Sequence, residues 1–169
     1  MNNLIAVTIG DIDGIGIEIL LNLWKKNKIN NFILFTNIKI FKNYLINKKI
    51  KLDIKIFNNK KINKKFFYVY DFQAKNKYLN TYKSLKISYD IVKKFKFSGI
   101  ITLPLSKELI IKKIDNKFTG QTEFYQKLDL KKYSNMMFIN KDLIIVTLTN
   151  HIRLKNDIKI LSDPKSTYN

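Results

Sequence analysis

At 169 residues the chain is sized for one compact domain, which would bury about 70% of its unfolded surface. It has no cysteine, which excludes a disulfide framework and any cysteine metal site, and no apolar run approaches the roughly 20 residues of a membrane span. The N-terminus lacks a basic region followed by an apolar one, so the expectation is a soluble, cytoplasmic protein with a formal charge of +19.

Leu4-Ile5-Ala6-Val7-Thr8 reads as a buried first strand, followed by a turn holding Gly10, Gly14 and Gly16 and then a helix from near Ile17. The glycines invite a dinucleotide fingerprint. The third glycine is missing at that spacing, however, and Asp11 and Asp13 would repel a pyrophosphate. Phe32 to Thr36 is a second strand, Phe41, Tyr44, Leu45 and Lys48 mark a short helix, and Leu52 to Phe57 alternates as a half-exposed strand does. Asn58 to Lys65, almost wholly lysine and asparagine, reads as a mobile surface loop. Phe66 to Tyr70 follows as a strand whose aromatic stripe suits a core better than a base-stacking platform.

From Thr81 to Lys96 the apolar residues Tyr82, Leu85, Tyr89, Val92 and Phe95 keep the three-and-four spacing of an amphipathic helix. Gly99 to Leu103 is a buried strand ended by Pro104, and Ser106 and Lys107 open a helix with Leu109, Ile110 and Ile114 as its apolar positions. Gly120 permits a tight turn ahead of another helical pattern, Phe124 and Leu128. Asn135 to Ile139 and Leu143 to Leu148 read as neighbouring strands joined at Asn140-Lys141-Asp142. The run Leu143-Ile144-Ile145-Val146 is apolar enough to predict burial, and a polar cluster with the only histidine, His151, follows it. The segments Phe118 to Phe124 and Thr147 to Leu154 therefore read as loops at strand ends, where open parallel sheets hold their ligands. Residues 156–169 show no periodic element and read as an irregular tail.

A charge of +19 suggests nucleic acid, because a basic surface attracts phosphate regardless of fold. Yet Arg153 is the only arginine among 32 basic residues, although arginine is what bidentate phosphate and guanine contacts favour. Lysine, isoleucine, asparagine, phenylalanine and tyrosine are inflated together, while Ala6 and Ala74 are the only alanines. Adenine- and thymine-rich codons produce that profile. A basic nucleic-acid-binding module is retained as the alternative of another class.

Four collinear segments resemble the family of 4-hydroxythreonine-4-phosphate dehydrogenases. Thr8 to Ile19 is similar to Gly-Asp-Pro-Ala-Gly-Ile-Gly-Pro-Glu-Ile, with Ile12 and Ile17 at the two proline positions, a change expected to loosen the turn. Ile101-Thr102-Leu103-Pro104-Leu105-Ser106-Lys107 is similar to Val-Thr-Ala-Pro-Ile-Asn-Lys, Gly120-Gln121-Thr122-Glu123-Phe124 to Gly-His-Thr-Glu-Phe, and Thr149-Asn150-His151-Ile152-Arg153-Leu154 to Thr-Thr-His-Ile/Leu-Pro-Leu. The resemblance covers residues 1–155 and corresponds to the N-terminal half of the family's chain. It implies an α/β fold like that of isocitrate and isopropylmalate dehydrogenases, here the N-terminal portion of a mixed sheet flanked by helices. It further implies NAD-dependent oxidation and decarboxylation of 4-phosphooxy-L-threonine in pyridoxal phosphate synthesis, with NAD or NADP and a divalent metal (zinc, magnesium or cobalt).

The resemblance also assigns residues. His151 stands where the family has the first of three metal-binding histidines, and neutral imidazole is an ordinary ligand for such a cation. Gln121 replaces a substrate-contacting histidine; it can hydrogen-bond but cannot carry a proton near neutral pH, while Thr122 can donate to substrate oxygens. Asp11 and Lys107 fall in the active-site loops, and Glu123 suits the first turn of a helix. A catalytic acid or base is not assigned. The implied partners are a phosphorylated small molecule and either a second copy of the chain or a complementing C-terminal half, with no membrane partner. The competing readings are half of a split enzyme and a truncated, inactive remnant.

Overall fold

The computed structural model describes residues 3–58, 62–132 and 134–147. They form two compact units, one ending at Gln121 and one beginning at Thr122.

In the first unit the strands β1 (Ile5–Thr8), β2 (Phe32–Phe35), β3 (Ile54–Ile56), β4 (Phe67–Tyr70) and β5 (Gly99–Thr102) are interspersed with the helices α1 (Ile15–Lys25), α2 (Ile38–Asn47), α3 (Lys77–Phe95) and α4 (Lys107–Lys113). The strands lie in the order β3-β4-β2-β1-β5. Every pairing in this sheet is parallel. Parallel strands are covered by helices on both faces, which is why Ile5 to Val7 of β1 and the whole of β2 are unbroken apolar runs rather than alternating ones. Val7, Leu34 and Val69 pack with Ile17, Leu21, Phe41 and Leu45 of α1 and α2 in one cluster. Ala6, Ile33 and Phe35 form the opposite cluster, against which Ile87, Ile91 and Val92 of α3 pack. Trp24, Phe32 and Phe67 meet edge to face with centroids 5.3 to 5.8 Å apart, closing the first cluster.

Helix α3 departs from the predicted pattern in two ways. It starts at Lys77 rather than Thr81, because the Asn76 side chain caps it by accepting from the Leu79 amide at 2.9 Å. Its buried positions are Asn80, Thr81, Ser84, Leu85 and Ser88, while Tyr82 and Tyr89 sit at the flanks. Small side chains on the sheet-facing stripe let the helix axis lie close, and their polar atoms are satisfied locally: the hydroxyls of Ser84 and Ser88 donate to the Thr81 and Leu85 carbonyls at 2.7 and 2.9 Å.

Helix α1 starts two residues before the predicted Ile17. Ile12 and Ile17, which stand at the two proline positions of the resembled motif, are both core residues, and the turn between them is closed by the Gly14 amide donating to the Asp11 carbonyl at 3.0 Å. Both isoleucines thus place apolar side chains in the core where the resembled motif has proline. In the predicted mobile loop Asn58 to Lys65, residues 59–61 lie outside the described residues. Asn63 organises a turn there, its amide donating to the Tyr68 hydroxyl at 3.0 Å and its side chain accepting from the Lys65 amide at 3.1 Å.

The second unit begins with most of α5 (Gln121–Leu128) and contains the hairpin β6 (Met137–Asn140) and β7 (Leu143–Val146). The hairpin is antiparallel and pairs Asn140 with Leu143 across Lys141-Asp142, the predicted turn. Parallel and antiparallel pairing are thus divided between two separate sheets. Burial of Leu143 to Val146, expected from composition, is not found: the four side chains are 49 to 64% exposed. A two-stranded ladder has no second layer of its own, so apolar content alone does not bury it. The C-cap of α5 is latched by Gln126, whose amide group donates to the Lys131 and Lys132 carbonyls at 3.2 and 2.8 Å.

Candidate functional site

The strand order places a topological switch beside β1. The connection through α1 leads to β2 on one side, whereas α3 returns the chain to β5 on the other. The loops that leave β1 and β5 therefore diverge at their carboxyl ends, which is where open parallel sheets bind ligands. Two of the sequence-predicted segments, Gly10 to Gly14 and Leu103 to Lys107, are these loops.

They are in direct contact. The Asp11 amide donates to the Pro104 carbonyl at 2.8 Å, and the Thr81 hydroxyl of α3 donates to the Gly10 carbonyl at 2.5 Å. Gly10 has φ of +61°, and a Cβ there would press on the Pro104 carbonyl oxygen and stand 2.8 Å from the Leu103 Cβ. A Cβ on Gly16 would meet Pro104 Cδ at 2.8 Å. The two glycines are thus set by the close approach of one loop to the other.

Gln121 reaches the same place, its Nε2 donating to the Leu103 carbonyl at 3.1 Å. Ahead of it, Phe118 is buried with its ring 6.3 Å from that of Tyr82, and the Tyr82 hydroxyl donates to Asp115 Oδ2 at 2.9 Å. Burial first, and then this bond to Asp115, raise the Tyr82 pKa above the usual tyrosine value. The structure accordingly brings Asp11 and Gln121 to the carboxyl end of the β1–β5 pair, and Lys107 begins α4 from the β5 loop with its side chain exposed. Thr122 is exposed in the first turn of α5, with Glu123 beside it. His151, together with Asn150 and Arg153, lies outside the described residues.

Sequence reasoning missed three groups here. Lys77 pairs with Asp13 at 2.5 Å and ties the β1 loop to the start of α3; the hydrogen bond and charge of Asp13 raise its pKa. Thr81, which the apolar spacing marks only as the opening of a helix, donates from α3 to the β1 loop. The third group is a buried polar knot at the ends of β2 and β4. Asn80 accepts from the Asn37 amide at 2.7 Å and donates to the Thr36 hydroxyl at 2.9 Å, while Asn37 donates to the Phe72 carbonyl at 2.7 Å and Asp71 accepts from the Ile38 amide at 2.8 Å. Asparagines just ahead of apolar helical runs were the available signal, submerged in an asparagine-rich composition.

The loop after β1 does not suit a dinucleotide pyrophosphate. Its two carboxylates, Asp11 and Asp13, would repel such a ligand, and three of its backbone N–H groups are engaged internally, those of Asp13 and Gly14 by Asp11 and that of Asp11 by Pro104. Among the described residues no three His, Cys, Asp or Glu side chains converge as metal ligands, so those residues do not by themselves fit the divalent cation that the resemblance implies. Nor is any helix among them long and apolar enough to cross a membrane.

Comparison with known proteins agrees with this geometry. Residues 28–167 match the family model of pyridoxal phosphate biosynthetic protein PdxA. The 4-hydroxythreonine-4-phosphate dehydrogenase of Aquifex aeolicus (strain VF5) is 30% identical over 171 aligned positions, covering 92% of this chain and 52% of its own. Solved structures described as 4-hydroxythreonine-4-phosphate dehydrogenases from Salmonella typhimurium and Klebsiella pneumoniae superimpose with TM-scores of 0.80 and 0.79 at 17% identity, over 94% and 95% of this chain and 55% of theirs. At that identity the superpositions establish the shared α/β fold. The chain spans about half the length of these relatives. Its parallel sheet, the loop pair at the switch point and the family match together place it in the pyridoxal phosphate biosynthetic protein PdxA family.

Proposed function

We propose that these residues form the substrate-side half of a 4-hydroxythreonine-4-phosphate dehydrogenase and act with a complementing C-terminal half in the NAD-dependent oxidation of 4-phosphooxy-L-threonine. The observation that carries this reading is the seating of Gln121 on the Leu103 carbonyl at the topological switch. With one amide N–H held there, the Gln121 Oε1 is oriented as an acceptor for a substrate hydroxyl, and the Thr122 hydroxyl supplies a donor from the exposed first turn of α5. Neither group titrates near neutral pH, so their part is to bind and orient. Proton transfer is assigned to the other half.

In this reading the dinucleotide, NAD or NADP, is also held by the other half, because Asp11 and Asp13 in the β1 loop would repel its pyrophosphate and the amides of Asp11, Asp13 and Gly14 are already engaged. His151 supplies one imidazole toward the divalent cation, zinc, magnesium or cobalt, and the remaining ligands come from outside this chain. Membership of an oxidoreductase family of vitamin B6 synthesis supports the assignment.

The test mixes the purified chain with the C-terminal half of the Aquifex aeolicus relative, 4-phosphooxy-L-threonine, NAD and a divalent cation, and follows NADH. The chain alone should give no turnover and the pair should. Gln121→Ala and Thr122→Val should raise KM more than they lower kcat. Turnover that ignores both substitutions, or substrate that binds neither the chain nor the pair, would contradict the assignment.

A further inference from the structure

Lysine is spread along the whole chain, but at one place four lysines share a hollow. A cavity of about 260 Å³ is lined by Lys25, Lys51, Lys64 and Lys65, with Trp24 and Asp53 between them. These residues precede β2, β3 and β4, and the strands of this sheet are all parallel, so the hollow lies at their amino ends. The switch point is at the opposite end of the sheet. The hollow is therefore separate from the β1 and β5 loops and from Gln121.

The backbone that carries these lysines is fixed. Lys25 ends α1, where Asn27, at φ of +53°, turns its amide back to the Trp24 carbonyl at 2.9 Å. Lys51 follows α2, whose end is closed by the Ile50 amide donating to the Leu45 carbonyl at 2.8 Å. Lys64 and Lys65 ride on the Asn63 turn, and the Phe67 amide donates to the Asp53 carbonyl at 3.0 Å, joining the segments that hold Lys51 and Lys65. Four ammonium groups thus face one hollow. Setting against them the Asp53 carboxylate and, at about half a charge each, the C-termini of α1 and α2 leaves about two positive charges. Among the described residues no ion pair joins Asp53 to any of the four. An anion seated between like charges relieves their mutual repulsion.

We propose that this hollow binds a polyphosphate group, two or more neighbouring phosphates carried either by a free polyphosphate or by a nucleic-acid strand. Charges on adjacent phosphates match the two left uncompensated by the protein. Lysine ammonium groups take phosphate as point charges and do not impose the single geometry of a bidentate arginine fork, which suits a chain with 31 lysines and one arginine. The inference is independent of the reading of the switch point, so it is measured by binding and not by turnover.

Trp24 is the single tryptophan and lines the hollow, so its fluorescence reports binding locally. The whole chain, in about 0.15 M salt to screen diffuse attraction, is titrated with inorganic tripolyphosphate and separately with a single-stranded oligonucleotide. A saturable change in Trp24 emission is expected. Lys64→Gln combined with Lys65→Gln should raise Kd by at least about tenfold. Lys112→Gln combined with Lys113→Gln, which removes the same charge from exposed positions in the last turn of α4, should change Kd by less than about twofold. The urea midpoint should stay the same in both. Tripolyphosphate binding without the strand assigns the site to free polyphosphate, and a strand that binds through the same lysines and is displaced by tripolyphosphate assigns it to nucleic acid. Equal weakening by the two pairs of substitutions, a strand that tripolyphosphate cannot displace, binding that leaves Trp24 unchanged, or no saturable binding overturns the proposal.

Discussion

Replacing Gly10 by alanine tests whether the two loops at the switch point are built against each other. The substitution meets two penalties. An L-residue at φ of +61° costs about 1 kcal/mol relative to glycine, and the new Cβ must displace the Pro104 carbonyl and Leu103, a backbone contact with the overpacking cost of about 1–3 kcal/mol. The displacement also strains the Asp11 to Pro104 and Thr81 to Gly10 hydrogen bonds, bringing the sum to about 2–5 kcal/mol, a large share of a domain's usual margin. Gly99→Ala is the control. Its Cβ meets open space, and reduced unfolded-state entropy should make it neutral or stabilising by about 0.4–1 kcal/mol. Urea unfolding followed by the fluorescence of the single tryptophan, Trp24, reads both, since Trp24 sits edge-on to Phe32 and Phe67 in the cluster under these loops. With an m-value of about 2 kcal/mol per molar, the Gly10→Ala midpoint should fall by about 1 M or more. Equal shifts for the two variants, or an unchanged midpoint for Gly10→Ala, would refute the contact.

Three further outcomes follow from the same packing. Asn80→Ala removes the acceptor of the Asn37 amide and the donor to Thr36 in a fully buried setting, so denaturant unfolding should show a loss of about 2–5 kcal/mol. Tyr44→Phe should be neutral or stabilising by about 1 kcal/mol in the same assay, because the buried Tyr44 hydroxyl meets no hydrogen-bond partner while its ring still stacks on Phe41. Alkali should destabilise the fold: burial of Tyr82, and the Asp13 partner of Lys77, raise folded pKa values above the unfolded 10.0 and 10.5, so the native state holds these protons more tightly. That stability is complete below about pH 10 and is lost as pH rises through the folded values; Tyr82→Phe should flatten the loss, and a pH-independent unfolding midpoint up to about pH 11 would contradict it.

Local sequence determined the alternation of strands and helices, the hairpin turn at Lys141-Asp142 and the loops after β1 and β5 that carry two of the family motifs, whereas Gln121 to Phe124, read as a loop at a strand end, open helix α5 after α4. These depend on apolar periodicity and on glycine and proline, whose effects act within a few residues. It also marked Asp11 and Gln121, because four collinear motifs persist through a lysine- and asparagine-rich composition. Tertiary structure alone decided which face of α3 is buried. Asn80, Thr81 and Ser84 go inward because each finds a partner near the sheet, Asn80 and Thr81 on distant segments and Ser84 one turn back on its own helix. A hydrophobic stripe cannot reveal that geometry. It decided likewise that Leu143 to Val146 stay exposed while Ile12 and Ile17 are buried, since burial depends on a covering layer that segments distant in sequence must bring.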